Sequence, residues 1–310
     1  MNKTRFATHQ QKGVQIFFDK LQISIYSITV IMEDQLPKSL LNYMKNESYD
    51  AGSIPVDISA TRLKDTPRIT RLFKLHRDKI KINYLDRGFA KLGEAWHKAM
   101  EENSPSNWIC EKRFYADVNG YIISGAIDGL EPVGKNVYNI WDYKLMSSYK
   151  AKTDLSEFTK QLNIYTYILK QNKMDVKNLY ISAMIRDWTP NRLNDLNYPQ
   201  TNLPVFKIDK WDDEFTESYV KERVMHHTQK EIPECTNEEM WASGDTFIVE
   251  SLKAGKVMKV YDTQEEAEKH PSVVKGTARV DKRLSERLRC KRYCEVSDFC
   301  DQYQKYLTSA

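Results

Sequence analysis

Apolar residues recur at two different periods along the middle of this chain. In YLDRGFAKLGEAWHKAMEE (84–102), Phe89, Leu92, Trp96 and Met100 follow one another at three and four residues, which predicts a helix with one apolar stripe. From 107 the period falls to two. NWICEKRFYAD alternates Trp108, Cys110 and Lys112 against Ile109, Glu111 and Arg113. Asn119-Gly120 marks a hairpin turn, and a strand over Tyr121–Leu130 follows. Gly134-Lys135-Asn136 turns the chain again into a third strand, Val137–Met146, so the three predict an antiparallel meander. DLSEFTKQLNIYTYILKQ (154–171) returns to the helical period, with Phe158, Leu162, Tyr165 and Leu169 inward. Strands are expected over 178–188 and 204–208, and an amphipathic helix over 213–230. Its adjacent His226 and His227 diverge by about 100° and are assigned to the surface.

The flanks have shorter patterns. Residues 1–31 fit poorly with the rest, and Met32 opens a plausible start with a helix over 37–46, so the first 31 residues are expected to be an upstream extension. Intact mass of the natively expressed protein tests this. Ser59 is a good N-cap, and Pro67 suits the first turn of a second helix. From Arg62 to Lys81, eight Lys/Arg accompany two acids. This run is either a solvated helix face or a phosphate-contacting patch. After Pro233 the character changes: Cys235, a short helix TNEEMWA, strands TFIVESL and KVMKVYD, a helix TQEEAEKH, and a basic stretch from Lys275 to Arg292. The expected organisation is an extension over 1–57, a core over 58–232 and a C-terminal module over 233–310.

Composition narrows this picture. With 310 residues, 41% of them apolar, the chain can bury a substantial core. A net charge of +4 permits a polyanionic partner without requiring one. The apolar run Leu21–Met32 is too short to span a bilayer and is interrupted by Ser24, Ser27 and Thr29. No cleavage site follows it, so a cytoplasmic protein with reduced thiols and no membrane contact is expected. Five cysteines stand at 110, 235, 290, 294 and 300, the last three within eleven residues. Such clustering favours a metal over disulfides.

The candidate chemistry lies in SGAIDGLEPVGKNVYNIWDYKLMS (124–147). Asp142 and Lys144 are i and i+2 on a strand and share a face, and a paired strand can bring Asp128 beside them. Two carboxylates and an ammonium suit a divalent cation with a positioned water or anionic substrate. Scattered charges on a surface hairpin are the plainer reading.

Taken in order, GEAWH, GAIDG, WDYK and QLNIY change that balance. This set resembles the PD-(D/E)xK nuclease superfamily, and its RecB-like branch in particular, over roughly residues 58–230. The proline-aspartate pair of the superfamily's name is absent, because Asp128 follows Ile127; Gly125 to Asp128 matches the G-x-x-D form of the RecB-like branch. The resemblance implies an α/β fold, with a central mixed sheet flanked by helices in a restriction-endonuclease-like core and a small cysteine-clamped C-terminal module. It implies that His97, Asp128 and Asp142, with the Tyr143 carbonyl, bind Mg²⁺ or Mn²⁺. Lys144 would orient the attacking water, and Gln161 and Tyr165 would hold the DNA backbone. Arg62, Arg68 and Arg71 are the expected further DNA contacts. Glu111 is an additional candidate on the neighbouring strand, where an exposed carboxylate is the plainer reading.

The C-x3-C-x5-C spacing of Cys290, Cys294 and Cys300 is similar to the triplet that closes several RecB-like nucleases, including phage-encoded ones. There it implies a 4Fe–4S cluster, with Cys235 preferred over Cys110 as fourth ligand because it opens the same module. Structural Zn²⁺ and unliganded thiols are the alternatives. The activity implied is a metal-dependent deoxyribonuclease, an exonuclease of phage DNA replication or recombination, working in the host cytoplasm. A structure-specific endonuclease and a silent DNA-end-binding module are the rivals. The partners implied are DNA ends or single strands, with a helicase or a single-strand annealing protein.

Overall fold

The computed structural model describes residues 37–46, 54–80 and 87–309, so the expected extension over 1–31 lies outside the described residues. Helix α1 covers Lys38–Lys45. Strand β1 (Ile58–Ser59) runs into α2 (Ala60–Leu63), where the Ser59 hydroxyl accepts from Arg62 N at 3.3 Å as the N-cap. Helix α3 (Pro67–His76) begins on Pro67, whose missing N–H costs nothing in a first turn. Helix α4 covers Gly88–Glu102. The meander follows as β2 (Ile109–Val118), β3 (Tyr121–Gly134) and β4 (Val137–Met146). Its turns carry positive φ at Asn119, Gly120 and Asn136, as such turns require.

The helix expected over 154–171 is α6 (Ser156–Gln171), and a short helix that was not expected, α5 (Ser148–Thr153), precedes it. Asp154 separates them in an extended conformation, and its carboxylate accepts from Ser156 N at 2.8 Å. Next come β5 (Asp175–Ile185), β6 (Val205–Ile208) and α7 (Asp213–Thr228). The expected helix TNEEMWA is a single turn, held by a reciprocal pair: Glu239 N donates to Thr236 Oγ1 and Thr236 N to Glu239 Oε2. Strands β7 (Thr246–Ser251) and β8 (Val257–Tyr261) and helices α8 (Gln264–Glu268) and α9 (Pro271–Val274) follow. Strand β9 (Ala278–Arg283) occupies part of the stretch read only as basic. Its charged side chains alternate at an open face, and Arg279 pairs with Glu250 and Asp281. Helices α10 (Leu288–Arg292) and α11 (Asp301–Ser309) end the described chain.

The molecule is an α/β protein whose central mixed sheet has six strands flanked by helices. Strand order is β1-β3-β4-β5-β6, with β2 on β3 as well. The meander pairs are antiparallel, β1–β3 and β4–β5 are parallel, and β6 returns antiparallel. The α5–α6 segment is the crossover that the parallel β4–β5 pair needs. Leu162, Ile164 and Ile168 of α6 are buried in one apolar cluster with Ile123 and Ile127 of β3 and Ile140 of β4. Pairing along one edge of β3 is interrupted. Ser124 lies against β1 and Gly129 against Trp141 of β4, and between them the strands part. A second sheet, β8-β7-β9, closes over Val249, Ala267 and Ala278.

The chain divides into two compact units. The described parts of 1–51 and 82–96 make one. In it the Lys91 side chain is buried, its ammonium bonded to Asn46 O and Glu94 Oε2. Phe89 and Leu92, expected inward, are exposed, because α4 turns Lys91 to the protected side. Residues 52–81 and 97–310 make the second unit. Residues 233–310 therefore share a unit with the sheet. Ile69 and Leu72 of α3 are buried with Val296, Cys300 and Tyr303.

Candidate metal centre

The centre forms where β3 and β4 part. Asp128 on β3 and Asp142 on β4 are both buried, and Asp128 Oδ2 accepts Tyr143 N at 2.8 Å. From α4, His97 Nδ1 lies 3.6 Å from Asp128 Oδ2 and 3.7 Å from Glu111 Oε1. His97, Glu111 and Asp128 offer ligand atoms all within 4.8 Å of one another. Glu111 reaches this place through its backbone. It is opposite Asp128 in the β2–β3 register, between the pairs Cys110–Gly129 and Lys112–Ile127, and has φ of 49°. A non-glycine residue in the left-handed region of a strand is strained, and such strain gathers at functional sites. Sequence alternation could not show this, because it assumes regular β geometry.

Asp142 is 2% exposed, and its Oδ1 has no hydrogen-bond partner. Lys144 Nζ stands 2.6 Å from Asp142 Oδ2, an ion pair that leaves the other carboxylate oxygen without a partner. A buried carboxylate in that state is costly unless a cation completes it. The same ammonium is 3.4 Å from Tyr143 O, the carbonyl expected to reach a metal. Burial, and then the neighbouring Asp142 charge, push the Asp128 carboxyl up to about 6. Burial opposes a charge on His97, but the Glu111 bond and the Asp128 charge outweigh it and raise its pKa. Burial likewise opposes a charge on Lys144, while Asp142 and Asp128 keep the ammonium protonated. This is a negative, desolvated pocket with one fixed cation, and its oxygen-rich donor set with one imidazole fits Mg²⁺ or Mn²⁺.

Gln161 and Tyr165 lie on α6, one turn apart. Gln161 Nε2 donates to Tyr165 Oη at 2.7 Å, and both side chains are buried. The Tyr165 ring packs on Gly125, where a Cβ would come within 2.6 Å of Cε1. Burial raises the Tyr165 phenol, and the Asp142 and Asp128 charges add to this, so it stays protonated beside the carboxylates. These two residues brace the site from within.

The arginines expected to touch DNA are otherwise engaged. Arg68 is buried, donating to Gln302 Oε1 and pairing with Asp301. Arg71 donates to the carbonyls of His227 and Gln229, and Arg62 pairs with Glu295 at 2.8 Å beside the Phe73 ring. The α3 face bearing Arg68 is covered by α11, Arg71 reaches the end of α7, and Arg62, on α2, is part-exposed beside Glu295. His227, assigned to the surface, is buried, with Nε2 3.1 Å from Asp65 O, because α7 packs beside the α2–α3 loop.

Cys235, Cys290, Cys294 and Cys300 line one small cavity with Arg68 and Tyr303. Cys110, on β2, is not among its lining residues. Burial pushes the Cys235 thiol up to about 12 and the Cys290 thiol up to about 11, so neither is a reactive thiolate on its own. Among the described residues, no three of these sulfurs lie within 4.8 Å of one another. A tetrahedral zinc draws its sulfurs to about 3.8 Å apart.

Fold and site together define an α/β protein with a buried acidic centre on its mixed sheet. No family model matches the chain, and no curated protein does. Among solved structures it is similar to the crystal structure of SSO0001, with a TM-score of 0.42 and 16% identity, over 66% of this chain and 88% of that one. Among the described residues no helix is long and apolar enough to cross a membrane.

Proposed function

We propose that this chain is a divalent-metal-dependent deoxyribonuclease of the RecB-like PD-(D/E)xK type, acting as an exonuclease in phage DNA replication or recombination. The observation that carries the reading is the buried Asp142 carboxylate, ion-paired with Lys144, close to the cluster His97–Glu111–Asp128. Asp142, His97, Glu111 and Asp128, with the Tyr143 carbonyl, would hold Mg²⁺ or Mn²⁺. The bound ion would polarise the phosphodiester and acidify its water.

The protein's own groups do the rest. Lys144 stays protonated at neutral pH, orients the water and offsets charge building on the phosphate oxygens. Asp142 and the Tyr143 carbonyl fix that ammonium in place. Tyr165, held by Gln161 and seated on Gly125, keeps β3 and α6 at a fixed spacing behind the carboxylates. The thiol cavity would hold a 4Fe–4S cluster that ties α3 to the C-terminal residues, with zinc as the alternative.

Digestion of linear, circular and single-stranded DNA with Mg²⁺ or Mn²⁺ tests the activity. Loss of linear DNA alone supports the exonuclease. Nicked circles support the endonuclease reading on the same residues. No cleavage in either metal leaves a DNA-end-binding module and sinks the enzyme. Iron and acid-labile sulfide in anaerobically purified protein test the cluster, and zinc in their place replaces it.

A further inference from the structure

Beside Lys144, two more lysines are gathered by one carboxylate. Lys64 follows α2 and Lys150 lies on α5. Their ammonium groups are 3.4 Å from Glu157 Oε2 and 2.6 Å from Glu157 Oε1. Lys150 and Lys144 also share the ring of Phe158, at 5.3 Å and 5.9 Å from its centroid. The basic groups therefore continue outward from the metal centre along the start of α6. Two cations on a single carboxylate leave net positive charge. The Lys64 and Lys150 side chains are 12% and 28% exposed, while that of Glu157 is 49% exposed. The cations are anchored and the anion is the member free to leave.

The element carrying Lys150 is rigid. Asp187 accepts Ser148 N at 2.6 Å and Ser148 Oγ at 2.9 Å, and Ser147 Oγ caps Lys150 N. On this pinned turn Tyr149 is 70% exposed. Packing does not account for it. An exposed ring on the residue before Lys150 is the kind of group a nucleic-acid strand uses, the ring under a base and an ammonium on a phosphate.

We propose that Lys64 and Lys150 contact a backbone phosphate of single-stranded DNA next to the bond cut at Lys144, with Glu157 filling that place in the free protein and Tyr149 stacking on an adjacent base. This rests on the nuclease reading of the metal centre. Glu157 is well suited to the role of stand-in. Burial works against its charge, but the bond from Lys150 and the Lys64 charge hold its pKa below the usual glutamate range. Incoming phosphate would swap one anion for another, and Glu157 would turn to solvent.

The test is binding without catalysis. The intact chain is titrated onto a labelled oligothymidylate in EDTA, by anisotropy, over a range of salt. Lys64→Ala/Lys150→Ala should weaken binding about 10-fold and reduce the slope of log K against log salt by about 0.7, one single-strand phosphate contact's worth. Lys150→Gln alone, a change at a more exposed position, should move the slope the same way, and thermal unfolding checks that each variant is folded. Glu157→Gln should tighten binding. Tyr149→Ala should weaken single-strand binding about 5-fold or more, leave the slope alone and spare blunt duplex. Unchanged affinity and slope in Lys150→Gln, or weaker binding in Glu157→Gln, overturns the proposal. A wild-type chain that binds the oligonucleotide with the expected variant effects, yet cuts nothing in Mg²⁺ or Mn²⁺, overturns the nuclease reading and leaves this contact standing.

Discussion

Asp142 and Lys144 illustrate how a site can be encoded by two side chains and a strand's parity. Their spacing alone puts them on one face, and the structure holds them 2.6 Å apart. We expect Asp142→Ala and Lys144→Ala each to lower cleavage by at least about 100-fold, the scale of losing one pre-organised charge, with circular dichroism unchanged. Substantial turnover in either variant would remove the site assignment. Parity could not deliver Glu111. Its side chain arrives through a positive φ that no pattern of residue types announces. His227 fails in the opposite direction. A histidine pair on a polar helix reads as surface, yet α7 buries one of the two against the Asp65 carbonyl. Burial, then the nearby Arg223 charge, lower the His227 pKa from 6.5 to about 4. The unfolded chain thus binds a proton that the folded one refuses. Stability is fully present above pH 6.5 and is lost as pH falls towards 4, by roughly 3 kcal/mol in all. Denaturant unfolding across that window should show the loss, and His227→Gln should flatten it.

At the scale of elements, the alternation of the meander and the periodicity of α6 were legible, because each element has one face inside and one outside. Strand pairing then follows from two tight turns. Where both faces are used, or where charge dominates, pattern carried less. Strand β9 is highly charged and half-exposed, so its period is written in arginines, a lysine and an aspartate rather than in apolar residues. Helix α5 is too short for any period, and Asp154, which ends it, also starts α6. The seat of α6 on β3 depends on one glycine. Gly125→Ala would drive a methyl into the Tyr165 ring, which is buried and has no room to retreat. We expect a loss of about 1–3 kcal/mol in urea unfolding. Tyr165→Leu in the same chain should recover part of it; a Gly125→Ala protein as stable as wild type would contradict the close approach.

For the whole molecule, the α2–α3 loop is the meeting point. Asp65 pairs with Arg289 at 2.6 Å, Arg223 donates to Leu63 O and Asp65 O, and Arg68 reaches Asp301 and Gln302. Arg68 and Arg71, which composition offered to DNA, bind within the protein, and nothing in the order of residues announces that. Arg289→Ala should destabilise the chain by about 1–3 kcal/mol, less than for a fully buried pair because both partners are part-exposed. Limited proteolysis should then cut first after residue 233. Equal resistance in the variant would show that the pair is ornamental. Cys294→Ser should lower the thermal midpoint and the bound metal together; loss of neither would leave the cavity a simple thiol core.

The bond between Arg289 and Asp65 joins residues 224 apart in sequence. Its consequence belongs to the history of each molecule rather than to its resting state. A ribosome finishes every strand of the large sheet well before it adds Arg289, Cys294 or Tyr303. Until then α3 has no cover for Ile69 and Leu72, and the growing chain carries an adhesive surface. Contacts of such long range close last and slowly. A chain cut short before Arg289 would therefore have its whole acidic centre encoded and its keystone missing, a product for proteases.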